Sequence, residues 1–368
     1  MKRFLILSAA LLMVVALKAQ NDYAFEPIND IETSTVKSQD RTGTCWCYST
    51  VSFIETELMR MGQEEVDLSE MYIVKKAYEQ KARDYVRYHG KGNFSQGGQA
   101  HDVMNELVDH GYVPEAAYSG IRYDSERHNH TEMVSVVSHM LDGLLASRSR
   151  TLSTAWEPAF EAALAAYLGE DPTTFTYQGK EYTPQSYLES TGFQPEDYVE
   201  FTSYTHHPYY QPVILEVPDN WSNDAYYNLP LDELMEVMEY SLKKGYSVVW
   251  DGDVSHKGFS HKAGVAVVPA DKDAEFDKEP VEEKNIDANY RQKMFNNHAT
   301  TDDHLMHLTG LFVDKNQTRY YKTKNSWGGD SNDFGGFLFM SEPYMKLSTV
   351  AIMVHKDAIP EHIATKIQ

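Results

Sequence analysis

Both cysteines of the 368-residue chain lie in "SQDRTGTCWCYST", Ser38 to Thr50, as Cys45 and Cys47 on either side of Trp46. Thiols so placed can form a bond, clip a metal, or supply a nucleophile with a bystander. A bridge across one intervening residue closes a tight ring, strains the preferred disulfide geometry and ties together nothing distant. A metal clip needs further ligands at a fitting spacing. His128, His130, His206, His207, His256, His261 and His298 show no such pattern with carboxylates, so they read as solvated loop residues and no metal is expected. A nucleophile requires the thiolate, which a helix N-terminus and a nearby imidazolium both stabilise.

A base for Cys45 must come from elsewhere. "TTDDHLMHLTGLF" offers His304 and His307, which a strand turns to opposite faces, so only one can look at a given cleft. Further on, "KTKNSWGG" offers Asn325 to hold an imidazole and Trp327 to shield that hydrogen bond from water. Gln39, just upstream, can donate its side-chain N–H to a developing oxyanion alongside the backbone N–H of Cys45. Asp302 and Asp303 either bias the histidine's charge or are loop residues. Asp251 and Asp253 in "WDGDV" read as a strand-end turn more simply than as a carboxylate pair.

These residues need elements to hold them. After Gly43, Trp46, Phe53, Ile54 and Leu58 recur at near-helical spacing, which puts Cys45 in the first turn of a helix running to Arg60. At ~3.6 residues per turn Cys47 lies about 200° round from it and points into the core. "SEMYIVKKAYEQKARDYVR" from Ser69 and a stretch from about His101 to His110, stopped by Gly111, read as further helices; the segment before Arg41 reads as irregular. "MVSVVSHMLDGLLAS" and "TAWEPAFEAALAAYLG" predict an inserted helical lobe over 123–207, and "LDELMEVMEYSLKKG" an amphipathic helix ending at Gly245. Short β-branched and aromatic runs follow: "YSVVWDG", "AGVAVVP", "HLMHLTGLFVD", "RYYKTKNSW", "GFLFMS" and "TVAIMVH". The acidic segment from Asp271 to Glu283 reads as a solvated excursion. Helices first and strands last predict an α+β fold, a helical layer facing an antiparallel sheet.

Lys2 and Arg3 ahead of "FLILSAALLMVVAL" form a secretory leader, with cleavage expected after Ala19; the apolar run is shorter than the roughly 20 residues of a membrane span. Residues 20–368 then form one exported domain, periplasmic or extracellular and without a membrane anchor. It comprises a helical lobe with the nucleophile (20–122), the insertion (123–207) and a β-rich lobe (208–368). A net charge of −22 repels phosphate backbones and argues against nucleic-acid binding.

The cysteine segment "QDRTGTCWCYST" resembles the active-site segment of papain-type cysteine peptidases, and "KNSWGG" their asparagine segment. "LSEMY" and "GGQAHDVMNELVDHGYVPE" fall in order between them. The latter, with "SLKKGYSVVWDGDV" and "DHLMHLTG", is closer to the bleomycin hydrolase and aminopeptidase C branch. The resemblance runs from about Ser38 to His355. It implies a papain-like fold with Cys45 as nucleophile, His304 as general acid/base, Asn325 as its orienter and Gln39 as oxyanion donor. Gly97 and Gly98 become the backbone edge for an extended peptide, Trp327 a further substrate-side residue, and no cofactor is required. The expected partners are peptide or protein substrates; a homo-oligomer is compatible but not implied. Leu305 stands where a small residue commonly follows the histidine, and "IPEHIATKIQ" does not match the tail that enforces aminopeptidase action in cytosolic members. An aminopeptidase is the leading expectation. A papain-type endopeptidase or acyl exchanger, and a non-catalytic peptide-binding protein on the same fold, are the alternatives.

Overall fold

In the computed structural model, residues 22–122 and 126–367 are described; the leader expected at 1–19, and the boundary expected at residue 123, lie outside them. The chain enters by β1 (Glu26–Asp30), which the irregular reading of this segment missed. Its residues are mostly exposed and show no apolar alternation; only pairing with a distant strand makes "EPIND" extended.

Helix α1 (Cys45–Arg60) follows, then α2 (Glu70–Arg87), whose N-cap Ser69 accepts from the N–H of Tyr72, and α3 (Ala100–His110), closed by Gly111 at φ 68°. Residues 45 to 58 of α1 are all buried, because α2, α3 and the sheet enclose it. Its polar positions are therefore satisfied internally. Thr50 Oγ1 donates to the Trp46 carbonyl at 2.8 Å, and Glu55 accepts from Lys37 at 3.0 Å and Ser34 at 2.5 Å. Fully buried Trp46, Phe53, Ile54 and Leu58 each contribute about 1.5–3 kcal/mol of apolar burial.

The stretch read as an insertion contains α4 (Thr131–Leu145), α5 (Trp156–Leu168), a hairpin of β2 (Phe175–Tyr177) and β3 (Lys180–Tyr182), and α6 (Pro184–Thr191). Met133, Val137, Leu141, Phe160, Leu164 and Tyr187 join the core of α1–α3. The end of that stretch, β4 (Tyr198–Thr202), pairs into the main sheet. Then come β5 (Pro212–Ile214), β6 (Ala225–Asn228), α7 (Leu231–Lys243), β7 (Val248–Gly252), β8 (Phe259–Ser260) and β9 (Val265–Ala266). An unforeseen helix, α8 (Ala288–Asn296), precedes β10 (His304–Val313), β11 (Arg319–Lys324) and β12 (Phe337–Ser341). The short α9 (Glu342–Ser348) leads into β13 (Thr349–His355).

The main sheet has 11 strands in the order β5-β6-β4-β13-β7-β10-β11-β12-β9-β8, with β1 added to β10. It is mixed rather than antiparallel throughout, since β4/β6 and β9/β12 run parallel. The α+β architecture is as expected, a helical layer against a sheet. Across β13, β7 and β10 the register sets Ala351, Asp251 and Leu305 side by side. Leu305, Val249 and Met353 join the core of the helical lobe. Trp250, Met306 and Ile352 face the other way, toward α7 and α9. Alternation along the strands thus decides which side chains reach the cleft between the lobes. Among the described residues, no helix is long and apolar enough to cross a membrane.

Candidate active site

Cys45 is the first residue of α1, and the Thr44 carbonyl ahead of it accepts from the N–H groups of Cys47 at 3.0 Å and Tyr48 at 3.2 Å. The N–H of Cys45, one of the first amides of the helix, has no intrahelical partner. The backbone N–H of Leu305 favours the Cys45 thiolate, which puts the sulfur beside the start of β10, where His304 stands. Cys47 faces the core, its Sγ 3.4 Å from the Glu70 carbonyl, and both thiols are free. The helix rotation separates the two sulfurs as expected.

His304 Nε2 lies 2.8 Å from Asn325 Oδ1. That oxygen also accepts from the N–H of Ser326 at 2.7 Å, which identifies it as the amide oxygen. Nε2 therefore carries the proton, and Nδ1 is left as an acceptor. The Trp327 ring lies over this pair, 5.1 Å from the His304 ring and inclined at 32°. His307 is turned away, its Nδ1 3.0 Å from Ser52 Oγ and its ring edge-on to Phe53.

A residue read as a solvated histidine completes the set. Asn325 Nδ2 donates to His261 Nδ1 at 3.3 Å, His261 Nε2 donates to Ser331 Oγ at 2.7 Å, and Ser331 Oγ donates to the Gly328 carbonyl at 2.5 Å. His261 also stands edge-on to Trp327, with ring centroids 4.8 Å apart. Nothing in the spacing of His261 marks it; the turn between β8 and β9 delivers it to the site.

Gln39 is also fixed from this side. Its backbone N–H donates to the Ser326 carbonyl at 2.8 Å, and its Oε1 accepts from Ser326 Oγ at 2.6 Å. The amide nitrogen is thereby oriented, with one hydrogen on the Thr42 carbonyl at 2.7 Å and the second uncommitted. Ser326, next to Asn325, joins the segment before α1 to the turn that follows β11.

The two glycines are differently placed. A Cβ on Gly98 would meet the Trp46 indole and Asp102 Oδ2 at 3.0 Å, whereas one on Gly97 would lie 1.9 Å from Asp219 Oδ2. Lys81 Nζ donates to the carbonyls of Ser95 at 2.8 Å and Gly97 at 2.6 Å. The Gly97 carbonyl is therefore taken and its side is covered, while Gly98 is buried against Trp46 and Asp102.

Electrostatics oppose charge in the site. Burial pushes the Cys45 thiol up to about 12; the Leu305 N–H opposes the shift, and the carboxylates of Asp302, Asp219 and Asp251 add to it. Burial pushes the His304 imidazole down to about 4 against the hydrogen bond to Asn325. Each group taken singly is held neutral. A proton passed from sulfur to imidazole would create opposite charges that offset each other's desolvation.

The remaining acids separate by role. Asp253 caps a turn, accepting from the N–H groups of Ser255 at 2.7 Å and Thr301 at 2.6 Å, and Asp303 accepts from the N–H of Val254 at 2.9 Å. Asp251 instead meets Asp302. Among the described residues one group of three could ligate a metal: His206 and His207, whose Nε2 atoms lie 3.1 and 3.0 Å from Glu216 Oε2.

Residues 72–368 match the model of the Peptidase C1-like family. The chain is 24% identical to aminopeptidase W of Lactobacillus delbrueckii subsp. lactis, over 91% of this chain and 84% of that one. It is 22% identical to aminopeptidase C of the same organism, over 91% and 82%, and 22% identical to the mitochondrial cysteine proteinase 1 of Saccharomyces cerevisiae, over 97% and 82%. The crystal structure of PepW from Lactobacillus rhamnosis HN001 superimposes with a TM-score of 0.74 at 18% identity, over 93% of this chain and 84% of that one. The chain belongs to the Peptidase C1-like family and is a cysteine-type peptidase of its aminopeptidase group.

Proposed function

We propose that the protein is an exported aminopeptidase that removes residues from free peptide N-termini through an acyl-enzyme on Cys45. The observation that carries this reading is the His304–Asn325 hydrogen bond at 2.8 Å beside a thiol at the N-terminus of α1. His304 Nδ1 takes the thiol proton as Cys45 Sγ attacks the scissile carbonyl. The second N–H of Gln39 and the unpartnered N–H of Cys45 receive the oxyanion. As the C–N bond breaks, the imidazolium gives its proton to the leaving amine; water activated by the same imidazole then hydrolyses the thioester. Asn325 orients the ring and Trp327 keeps water from their hydrogen bond. No step draws on a metal or organic cofactor.

Exo-specificity is supported by the covering of Gly97 by Asp219, which obstructs an extended chain on that side, and by the acidic groups beside the nucleophile. Export rests on Lys2, Arg3 and the apolar run after them. Cleavage of a free-amine and an N-acetylated peptide library, by wild type and Cys45→Ala, tests the activity. The expected result is loss of cleavage both on acetylation and on substitution. Equal turnover by Cys45→Ala would refute the mechanism, and N-terminal sequencing of the secreted protein tests leader removal.

A further inference from the structure

Asp251 is 3% exposed, yet among the described residues neither of its oxygens receives a hydrogen bond from an N–H or O–H donor. Its polar neighbour is the carboxyl of Asp302, which is partly exposed and accepts from Gln99 Nε2 at 2.8 Å. Two carboxyls in contact cannot both ionise there, so they share a proton and carry one negative charge between them. On the neighbouring strand Ala351 sits opposite Asp251 and shares a buried cluster with Tyr204 and Tyr226. Among the described residues both tyrosine hydroxyls are buried without a partner, and both feel the charges of Asp251 and Asp302. Buried donors and acceptors left open together mark a place where a polar ligand group is missing.

The position relative to Cys45 says which group. Asp302, Asp219 and Asp251 are the acids that raise the thiol. In a substrate with a free N-terminus, the α-nitrogen is two bonds from the carbonyl carbon that sulfur attacks, so its charge is held beside the sulfur. A cavity of about 540 Å³ has Asp302, Thr301 and Pro218 in its wall and gives a ligand access to Asp302. Pro218 leads directly into Asp219, whose Oδ1 is held by Asn93 and Ser95 while its Oδ2 faces Gly97.

We infer that the Asp302–Asp251 pair, with Asp219 beside Gly97, is the subsite that binds the substrate's α-ammonium. This rests on the reading of Cys45 as nucleophile. It gives the acids a reason to stand where they oppose the thiolate, since an arriving cation cancels that opposition and the nucleophile is favoured once a free N-terminus is seated. The selectivity then comes from Asp219, Asp251 and Asp302, side chains of the β-rich lobe.

The test compares leucyl anilide with its desamino analogue, 4-methylpentanoyl anilide, on wild type, Asp302→Asn, Asp251→Asn and the double variant. Each single substitution leaves one carboxylate in the pair; the double removes the charge. The double variant is expected to lose about tenfold to a hundredfold in kcat/KM on leucyl anilide, with less lost by either single variant and none lost on the desamino analogue. Alkylation of Cys45 by iodoacetamide at neutral pH should become several-fold faster in the double variant, because the repelling charge is gone. That gain also shows that the variant is folded. Equal losses on both anilides, or unchanged discrimination with intact alkylation, overturns the inference while leaving the peptidase reading in place. A wild-type protein that cleaves neither anilide in a Cys45-dependent way refutes the peptidase reading itself and this inference with it.

Discussion

Asn325 and His261 form a hydrogen bond in which Asn325 Nδ2 donates to His261 Nδ1 at 3.3 Å, so the amide that holds His304 is itself held. Burial, with His304 nearby, pushes the His261 imidazole down to about 4, which keeps Nδ1 an acceptor at neutral pH. Ser331 fixes the tautomer from the other side. The orientation of Asn325, on which the tautomer of His304 depends, is thereby set by residues on two turns.

Replacing His261 by alanine should therefore lower kcat about tenfold, ~1.4 kcal/mol in the barrier, with little change in KM. His261→Gln, which can still present an acceptor, should recover part of the loss. Steady-state kinetics on a free-amine anilide measures both. An unchanged kcat in the alanine variant would show that Asn325 needs no second anchor.

The pH dependence follows from the same pair. His304 and His261 are each pushed down to about 4, so both are neutral above that value and protonated below it. Protonation of His304 removes the acceptor for the thiol proton, and protonation of His261 removes the acceptor for Asn325. Log kcat/KM should fall as pH drops through this region with a limiting slope of about two, and about one in His261→Gln. A slope of one in wild type would mean that His261 does not titrate with the site.

The two cysteines should separate cleanly. Cys45→Ala is expected to abolish peptidase activity with the melting temperature essentially kept, since Cys45 lies at the cleft end of α1. Cys47→Ala should keep activity and lose about 1–2 kcal/mol of stability, because it leaves a small void against α2. Thermal denaturation alongside activity assays reads both. Loss of activity in folded Cys47→Ala would contradict the division of roles.

Gly97→Ala should displace Asp219, since the new methyl would lie 1.9 Å from its carboxylate oxygen. The single variant should be less stable and poorer in kcat/KM on free-amine substrates. Adding Asp219→Ala should restore the stability but not the kcat/KM, a non-additive cycle. Simple additivity in melting temperature would mean that the two residues do not touch in solution.

Much was legible from the order of residues. The N-terminal position of Cys45 follows from apolar periodicity after Gly43, the opposite facing of Cys45 and Cys47 from helix rotation, and the division between His304 and His307 from strand alternation. These are local properties, decided by φ/ψ geometry within one element. The α+β layering was legible for the same reason, and the long, strongly patterned elements α1, α2, α7, β10 and β13 form where the pattern places them. The weakly patterned β1 and α8 escaped notice. "EPIND" is a strand only because β10 offers it an edge, and α8 buries little besides Arg291 and Gln292.

What only the tertiary structure decided is the company each residue keeps. His261 reaches Asn325 across 64 positions, Ser326 reaches Gln39 across 287, and Gln99 reaches Asp302 across 203. Asp251 looks like a turn residue beside Asp253, yet sheet register turns it toward the cleft while Asp253 caps the turn. A sequence states which groups a chain owns and which way each points along its own helix or strand. Which buried polar groups are satisfied, and which are left open for a substrate, depends on the packing of segments far apart in the chain, and no local periodicity encodes it.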